Sequence, residues 1–209
     1  MLAVELLSSD NIITPGNAPV ETNVPPNWPY SLCPNFSNWL PGDIVLFRSG
    51  RQLKDTAIVL AQACSFSPVT RAGCQFVHAA IYVGVGDIVD ITASGVAKRS
   101  VWTYCEHHTT TVRRYGGLDA LERNRIAQFA LSLVSQGHAY SWSQLVGSKL
   151  IPGTEPQTDG LYCSTLVGLA YQKAAGVQLH ARWFYKPLYP ATLSEHMALD
   201  KVLLEWRPM

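Results

Sequence analysis

The chain has 209 residues, 47% hydrophobic and 15% charged, with a formal net charge of +1. That length accommodates one domain with a substantial core and leaves room for an appendage. A charge so close to zero offers no basic footprint for nucleic acid or an anionic membrane, and no apolar run reaches the ~20 residues of a membrane span.

The N-terminus, MLAVELLSSD, has no basic region, and Glu5 interrupts its short apolar run. It does not read as a secretory signal. The expectation is a protein made in the cytoplasm that either stays there or leaves through a dedicated secretion system. Residues 14–38 carry six prolines: Pro15, Pro19, Pro25, Pro26, Pro29 and Pro34. Proline fixes φ and lacks an N–H, so this composition resists helices and sheet ladders. Residues 1–38 are expected to form an N-terminal arm, laid over the domain through Trp28, Tyr30, Phe36 and the adjoining Trp39.

The domain proper is expected over residues 39–209. In LPGDIVLFRSG, Pro41-Gly42-Asp43 reads as a turn and Ile44–Phe47 as a short strand. Over residues 51–65, Leu53, Ala57, Ile58, Ala61 and Cys64 recur at helical spacing. A loop with Pro68 and Gly73 follows. FVHAAIYVGVGDIVDITASGV reads as two strands joined at Gly84 and Gly86. SVWTYCEHHTTTVRRY, rich in β-branched and aromatic residues, predicts one or two more strands. A helix is expected over 119–136, capped by Asp119, with Ile126, Phe129, Ala130 and Leu133 on one face. After a segment broken by Gly147, Pro152, Gly153 and Pro156, a helix is expected from about 161 to 175. Asp159 is placed to cap it and Gly176 to end it. A last apolar stretch runs over Val202–Trp206. The fold class is therefore α+β, with an antiparallel sheet or small barrel packed against helices.

Cys105, His107 and His108, in CEHH, are the densest metal-type cluster. Zinc needs four convergent ligands, and the others are not supplied at any recognisable spacing. A surface loop is expected there, with no metal and no cofactor. Whether Cys33, Cys64, Cys74 and Cys105 are free or paired is left open.

Cys163, in GLYCSTLVGLAY, allows two readings. It shares a helical face with Leu166, Val167, Ala170 and Ala174, as a buried thiol would. It also lies in the first turn, where the helix dipole and unpaired N–H groups stabilise an anion, and thiolate is the nucleophilic form of cysteine. The same N–H groups suit the oxyanion of an attacked carbonyl. His78 lies in an apolar strand, so it is expected to be at least half buried and to need partners for its nitrogens. Asp90 sits between Val89 and Ile91 on the next strand. It either faces solvent or faces His78; an odd loop or a glycine bulge at Gly84/Gly86 would bring it opposite His78, leaving the other ring nitrogen for Cys163.

LPGDIVLF, VHAAIYVGVGDIVDI and YCSTLVGLAY, in that order, resemble the circularly permuted branch of the NlpC-type, papain-like cysteine hydrolases. That branch includes the lecithin:retinol acyltransferase-like proteins. Histidine precedes cysteine here, as in the permuted form, and His78 and Asp90 have the family's twelve-residue spacing. The resemblance covers roughly residues 40–200 and implies a Cys163–His78–Asp90 triad. Residue 90 departs from the second histidine of the acyltransferase-like members. Ser164 and Thr165 stand where several relatives carry asparagine or glutamate.

Three functions follow from the residues and the resemblance together. The first is a hydrolase cleaving amide bonds of bacterial wall peptides, a secreted antibacterial effector with an immunity or secretion partner. Tyr162, Tyr82 and Trp142 are its expected substrate contacts, with Trp102 and Tyr140 lining the same groove. The second is an acyltransferase, or a thioester or lipid-ester hydrolase. The third is a non-enzymatic binding module on the same fold.

Overall fold

The structure is a computed structural model that describes residues 11–48, 73–137, 161–179, 188–196 and 198–208. In chain order the elements are β1 (Ile12–Ile13), β2 (Cys33–Pro34), β3 (Ile44–Arg48), β4 (Phe76–Gly84), β5 (Asp87–Thr92), β6 (Gly95–Ser100), α1 (Trp102–Cys105), β7 (Thr110–Tyr115), α2 (Ala120–Gln136), α3 (Cys163–Ala175), α4 (Pro190–Ser194) and β8 (Leu199–Trp206). Strands β3 to β8 form one antiparallel sheet in the order β6-β5-β4-β3-β7-β8. Among the described residues the sheet is open and does not close into a barrel.

The central strands read as nearly continuous apolar runs because both faces of the sheet are buried. Ile44, Leu46, Ala79, Ile81, Val89 and Ile91 point to one core, shared with Ile126, Ala130 and Leu133 of α2 and Leu166, Val167 and Ala170 of α3. The alternate residues Val45, Phe47, Ala80, Tyr82 and Ile88 point to a second core on the other face. The proline-rich arm covers that second face. Trp28 packs edge-on against Trp102 at 4.7 Å, Phe36 lies 4.7 Å from Trp102, and Trp39 lies 5.3 Å from Tyr82. The Tyr30 hydroxyl donates to the Glu106 carbonyl at 2.9 Å, and Trp102 Nε1 donates to the Thr22 carbonyl at 3.1 Å. The arm is therefore tied by polar as well as apolar contacts.

The Pro41-Gly42-Asp43 turn is an anchor. The Asp43 carboxylate, fully buried, accepts the Leu40 N–H at 2.8 Å and both Arg114 Nε and Nη2, at 2.8 and 2.6 Å. Gly42 has φ +85°, and a Cβ there would come within 3.2 Å of the Arg123 carbonyl oxygen of α2. The Tyr171 hydroxyl of α3 donates to the Gly42 carbonyl at 2.5 Å. One short turn thereby fixes the sheet against both long helices.

Asp119 caps α2 through a capping box with Glu122, and Gly137 ends the helix at φ +68°. The stretch 100–115, expected to hold one or two strands, holds one, β7, preceded by the last residue of β6 and the one-turn helix α1. Burying Trp102 and Cys105 under the arm overrides the β-propensity of that segment. Cys105 is buried against Thr110, with Sγ 3.5 Å from its hydroxyl, so this residue of CEHH faces the core, whereas His107 is exposed. The helix expected over 51–65, Cys64 and the segment around Gly147–Pro156 lie outside the described residues.

Candidate active site

α3 begins at Cys163, with Tyr162 as its extended N-cap residue, not Asp159, which lies outside the described residues. The Thr165 hydroxyl accepts the Tyr162 N–H at 2.8 Å, as the third residue of a capping box does. The Ser164 hydroxyl donates to the Leu188 carbonyl at 2.5 Å. The two residues that depart from the relatives' asparagine or glutamate thus set the start of the helix. The Leu166 N–H bonds to the Tyr162 carbonyl at 3.0 Å, which leaves the N–H groups of 163–165 ahead of that ladder bond. Cys163 lies among them and is 5% exposed.

The hairpin of β4 and β5 places the other two groups. Val85 and Gly86 both have positive φ, at 52° and 73°, as a two-residue type I′ turn requires. The pairing shifts by one residue between Tyr82 and Gly84, after which Ile81 faces Val89. The bulge expected at the glycines is present, but Asp90 and His78 sit diagonally across the strand pair and not directly opposite. Diagonal neighbours on one face remain within side-chain reach. His78 Nε2 lies 2.8 Å from Asp90 Oδ2.

The His78 ring also lies close enough to Cys163 for the thiol to act on its proton affinity. With Nε2 turned to Asp90, Nδ1 is the nitrogen left for the thiol. His78 therefore bridges the two cores: its ring stacks with Phe47 and Tyr104 on the arm side, at centroid distances of 5.8 and 5.3 Å, while Cys163 belongs to the helix-side core. The His78 side chain is 16% exposed and that of Asp90 is fully buried. Burial disfavours the imidazolium, but the hydrogen bond to Asp90, the nearby Cys163 and their negative charges outweigh it, and the His78 pKa is pushed up to about 10. Burial likewise works against the Asp90 carboxylate, yet His78, Tyr104 and Arg99 together hold its pKa below the ordinary value.

Two residues at this site escape a reading by motif. Arg99 pairs with Asp90 Oδ1, and the Tyr104 hydroxyl donates to Asp90 Oδ2. Arg99 had a usable signal. β5 and β6 are joined by the two-residue turn Ala93–Ser94, with Asp90 paired to Ala97, so Arg99 shares the face of Asp90. Tyr104 had none, because its position depends on α1, where strand was expected.

Of the expected groove aromatics, Tyr162 adjoins Cys163, whereas Tyr82 and Trp102 lie in the second core. Tyr82 is buried against Trp39, and its hydroxyl accepts the Gly86 N–H at 3.1 Å, so it serves the hairpin and the second core. Trp102 is buried beneath the arm, and Tyr162 is buried at the N-cap of α3. All three are covered by packing among the described residues. Tyr140 and Trp142 lie outside the described residues.

Residues 38–202 match the family described as permuted papain-like amidase enzymes, YaeF/YiiX, of the C92 family. The chain belongs to this family. It is accordingly a cysteine hydrolase of the amidase class with a circularly permuted papain-like fold. Among solved structures it is similar to that of the metalloprotein yiiX from Escherichia coli O157:H7, with a TM-score of 0.55 and 20% identity, covering 80% of this chain and 98% of that one. None of the curated proteins matches. The neighbour is called a metalloprotein; among the described residues of this chain, no group of three His, Cys, Asp or Glu side chains could hold a metal ion. Among the same residues, no helix is long and apolar enough to cross a membrane.

Proposed function

We propose that this member of the amidase family cleaves an amide bond in peptides of the bacterial cell wall, with Cys163 as nucleophile, His78 as acid and base, and Asp90 as the residue that orients His78. The observation that carries the reading is the His78 ring, held by buried Asp90 on one side and near Cys163, at the start of a helix, on the other. This is the nucleophile–base–orienter arrangement.

In the first step the Cys163 thiolate attacks the carbonyl carbon, and the C=O π pair moves onto oxygen. The N–H groups at the start of α3 face the developing oxyanion. When the carbonyl re-forms, the C–N bond breaks and the amine leaves with the proton of the His78 imidazolium. Water then attacks the Cys163 thioester and gives one proton to His78. Expulsion of the thiolate releases the acid and restores the ion pair. Protonating the amine is the harder part of amide cleavage, and an imidazolium held by a carboxylate supplies that proton.

An amide substrate is supported by the family's amidase description and by this proton inventory, and the wall peptide is the amide proposed. Incubation with purified peptidoglycan and, separately, with lipid esters, followed by mass spectrometry, tests it. New amine and carboxylate termini on stem peptides are expected; turnover of lipid esters alone would overturn the substrate and favour acyl-transfer chemistry. Expression directed to a Gram-negative periplasm is expected to lyse cells, cytoplasmic expression is not, and Cys163→Ala is expected to be harmless in both. That pattern would fit an exported antibacterial effector restrained by an immunity partner. Toxicity from the cytoplasm alone would refute the wall target.

A further inference from the structure

Asp90 lies on β5 with a fully buried side chain. A carboxylate so placed favours its neutral acid form unless its charge is answered. The groups that face it are His78 from β4, Arg99 from β6 and Tyr104 from α1, while Cys163 of α3 acts on it through His78. Its two oxygens are divided among them. Oδ2 takes His78 Nε2 and the Tyr104 hydroxyl; Oδ1 pairs with Arg99 Nη1. Arg99 is itself held, because its Nη2 donates to Thr92 Oγ1 at 3.1 Å and to Ser94 Oγ at 2.9 Å.

The charges change during the reaction proposed above, and the present inference rests on that reading. While His78 is an imidazolium, Asp90 has a counter-ion. Once the leaving amine has taken the proton, His78 is neutral and the buried carboxylate would stand alone. Tyr104 offers a hydroxyl but no charge. Arg99 is the cation on Asp90 that does not titrate in this cycle. We infer that Arg99 is a positioning residue, the standing counter-ion that holds Asp90 aimed at His78 through the half of the cycle in which His78 is neutral. It also limits how tightly Asp90 holds the proton on His78, and so leaves the imidazolium a stronger acid toward the amine.

The test needs no substrate. The ring nitrogens of His78 are titrated by 15N NMR in Cys163→Ala protein carrying Arg99, Arg99→Gln or Arg99→Lys. The His78 signal is assigned by its loss in His78→Gln, and that of His108, which lies beside Tyr104, by its own substitution. Loss of the cation is expected to move the His78 midpoint up by about one pH unit, for charges a few ångströms apart across a part-buried site. Arg99→Lys should bring most of the shift back. A part that merely holds the fold would let Asp90 drift away, and the midpoint would stay or fall; either result overturns the inference. Should Arg99→Gln fail to fold, the double variant Thr92→Val, Ser94→Ala loosens the guanidinium while sparing its charge, and a smaller upward shift is expected. Turnover of peptidoglycan that survives Cys163→Ala would overturn the underlying reaction, a result separate from the titration.

Discussion

Asp90→Ala separates the orienting role from the acid–base role. The substitution removes the 2.8 Å contact between Asp90 Oδ2 and His78 Nε2. A hydrogen bond to a charged group contributes about 1.5–3 kcal/mol, and each 1.36 kcal/mol is tenfold in rate, so turnover should fall by roughly ten- to hundredfold. His78→Ala removes the proton carrier itself and should cost about 10²–10⁴-fold from that role alone, with a further loss because the thiolate loses its partner. Stability should change modestly in Asp90→Ala. Arg99, 23% exposed, keeps its bonds to Thr92 and Ser94, and Tyr104 keeps its stacking on Phe47 at 4.4 Å. The expected loss is about 2 kcal/mol, a fall in Tm of roughly 4–8 °C for a domain of this size. Initial rates of stem-peptide cleavage, read by mass spectrometry beside thermal melts, measure both. An Asp90→Ala enzyme as inactive as His78→Ala yet fully folded, or one as fast as the wild type, would refute the division of roles.

Cys163→Ala should abolish turnover with little change in Tm, because it removes one sulfur from a packed site; measurable cleavage would refute the nucleophile. Iodoacetamide at neutral pH should alkylate Cys163 ahead of Cys33 and Cys105, which are fully buried and whose pKa values burial pushes up to about 11 and about 12; peptide mapping after brief exposure checks the order. His78 titrates higher in the folded chain than its ordinary value, so its contribution to stability should be complete below about pH 6.5 and fade as pH rises toward 10. The opposite holds for Asp90, whose lowered pKa contributes stability above about pH 4 that is lost on further acidification. Melting temperatures across pH should show both slopes, each flattened in His78→Gln. Asp43→Ala removes two contacts of Arg114, which keeps its bond to the Asn38 carbonyl at 2.7 Å, and should cost about 2 kcal/mol, visible as a fall in Tm of roughly 4–8 °C.

Local chemistry was enough to determine much of this protein. The short apolar run Ile44–Phe47 behind its turn, the Asp119 cap, Gly176 at a helix end, and the paired glycines around Val85 each act within a few residues, so strand, helix and hairpin were legible before any fold was known. The same holds for the placing of His78 and Asp90 on one face, since a hairpin is a local object. Tertiary structure alone decided what lies between distant segments. The exact register, with Asp90 diagonal to His78 and not directly opposite, was settled only by packing of the sheet. Tyr82 and Trp102 were expected at a substrate groove because nothing in the sequence around them shows that the proline-rich arm lies over them. Tyr104 reached Asp90 because burial of Trp102 and Cys105 turned an apparent strand into one turn of helix. The meeting of Cys163 with His78, some eighty-five residues away in the chain, is long-range packing: the anchor at Gly42, Asp43 and Tyr171 holds α3 against the sheet, and no local preference of either residue encodes that encounter.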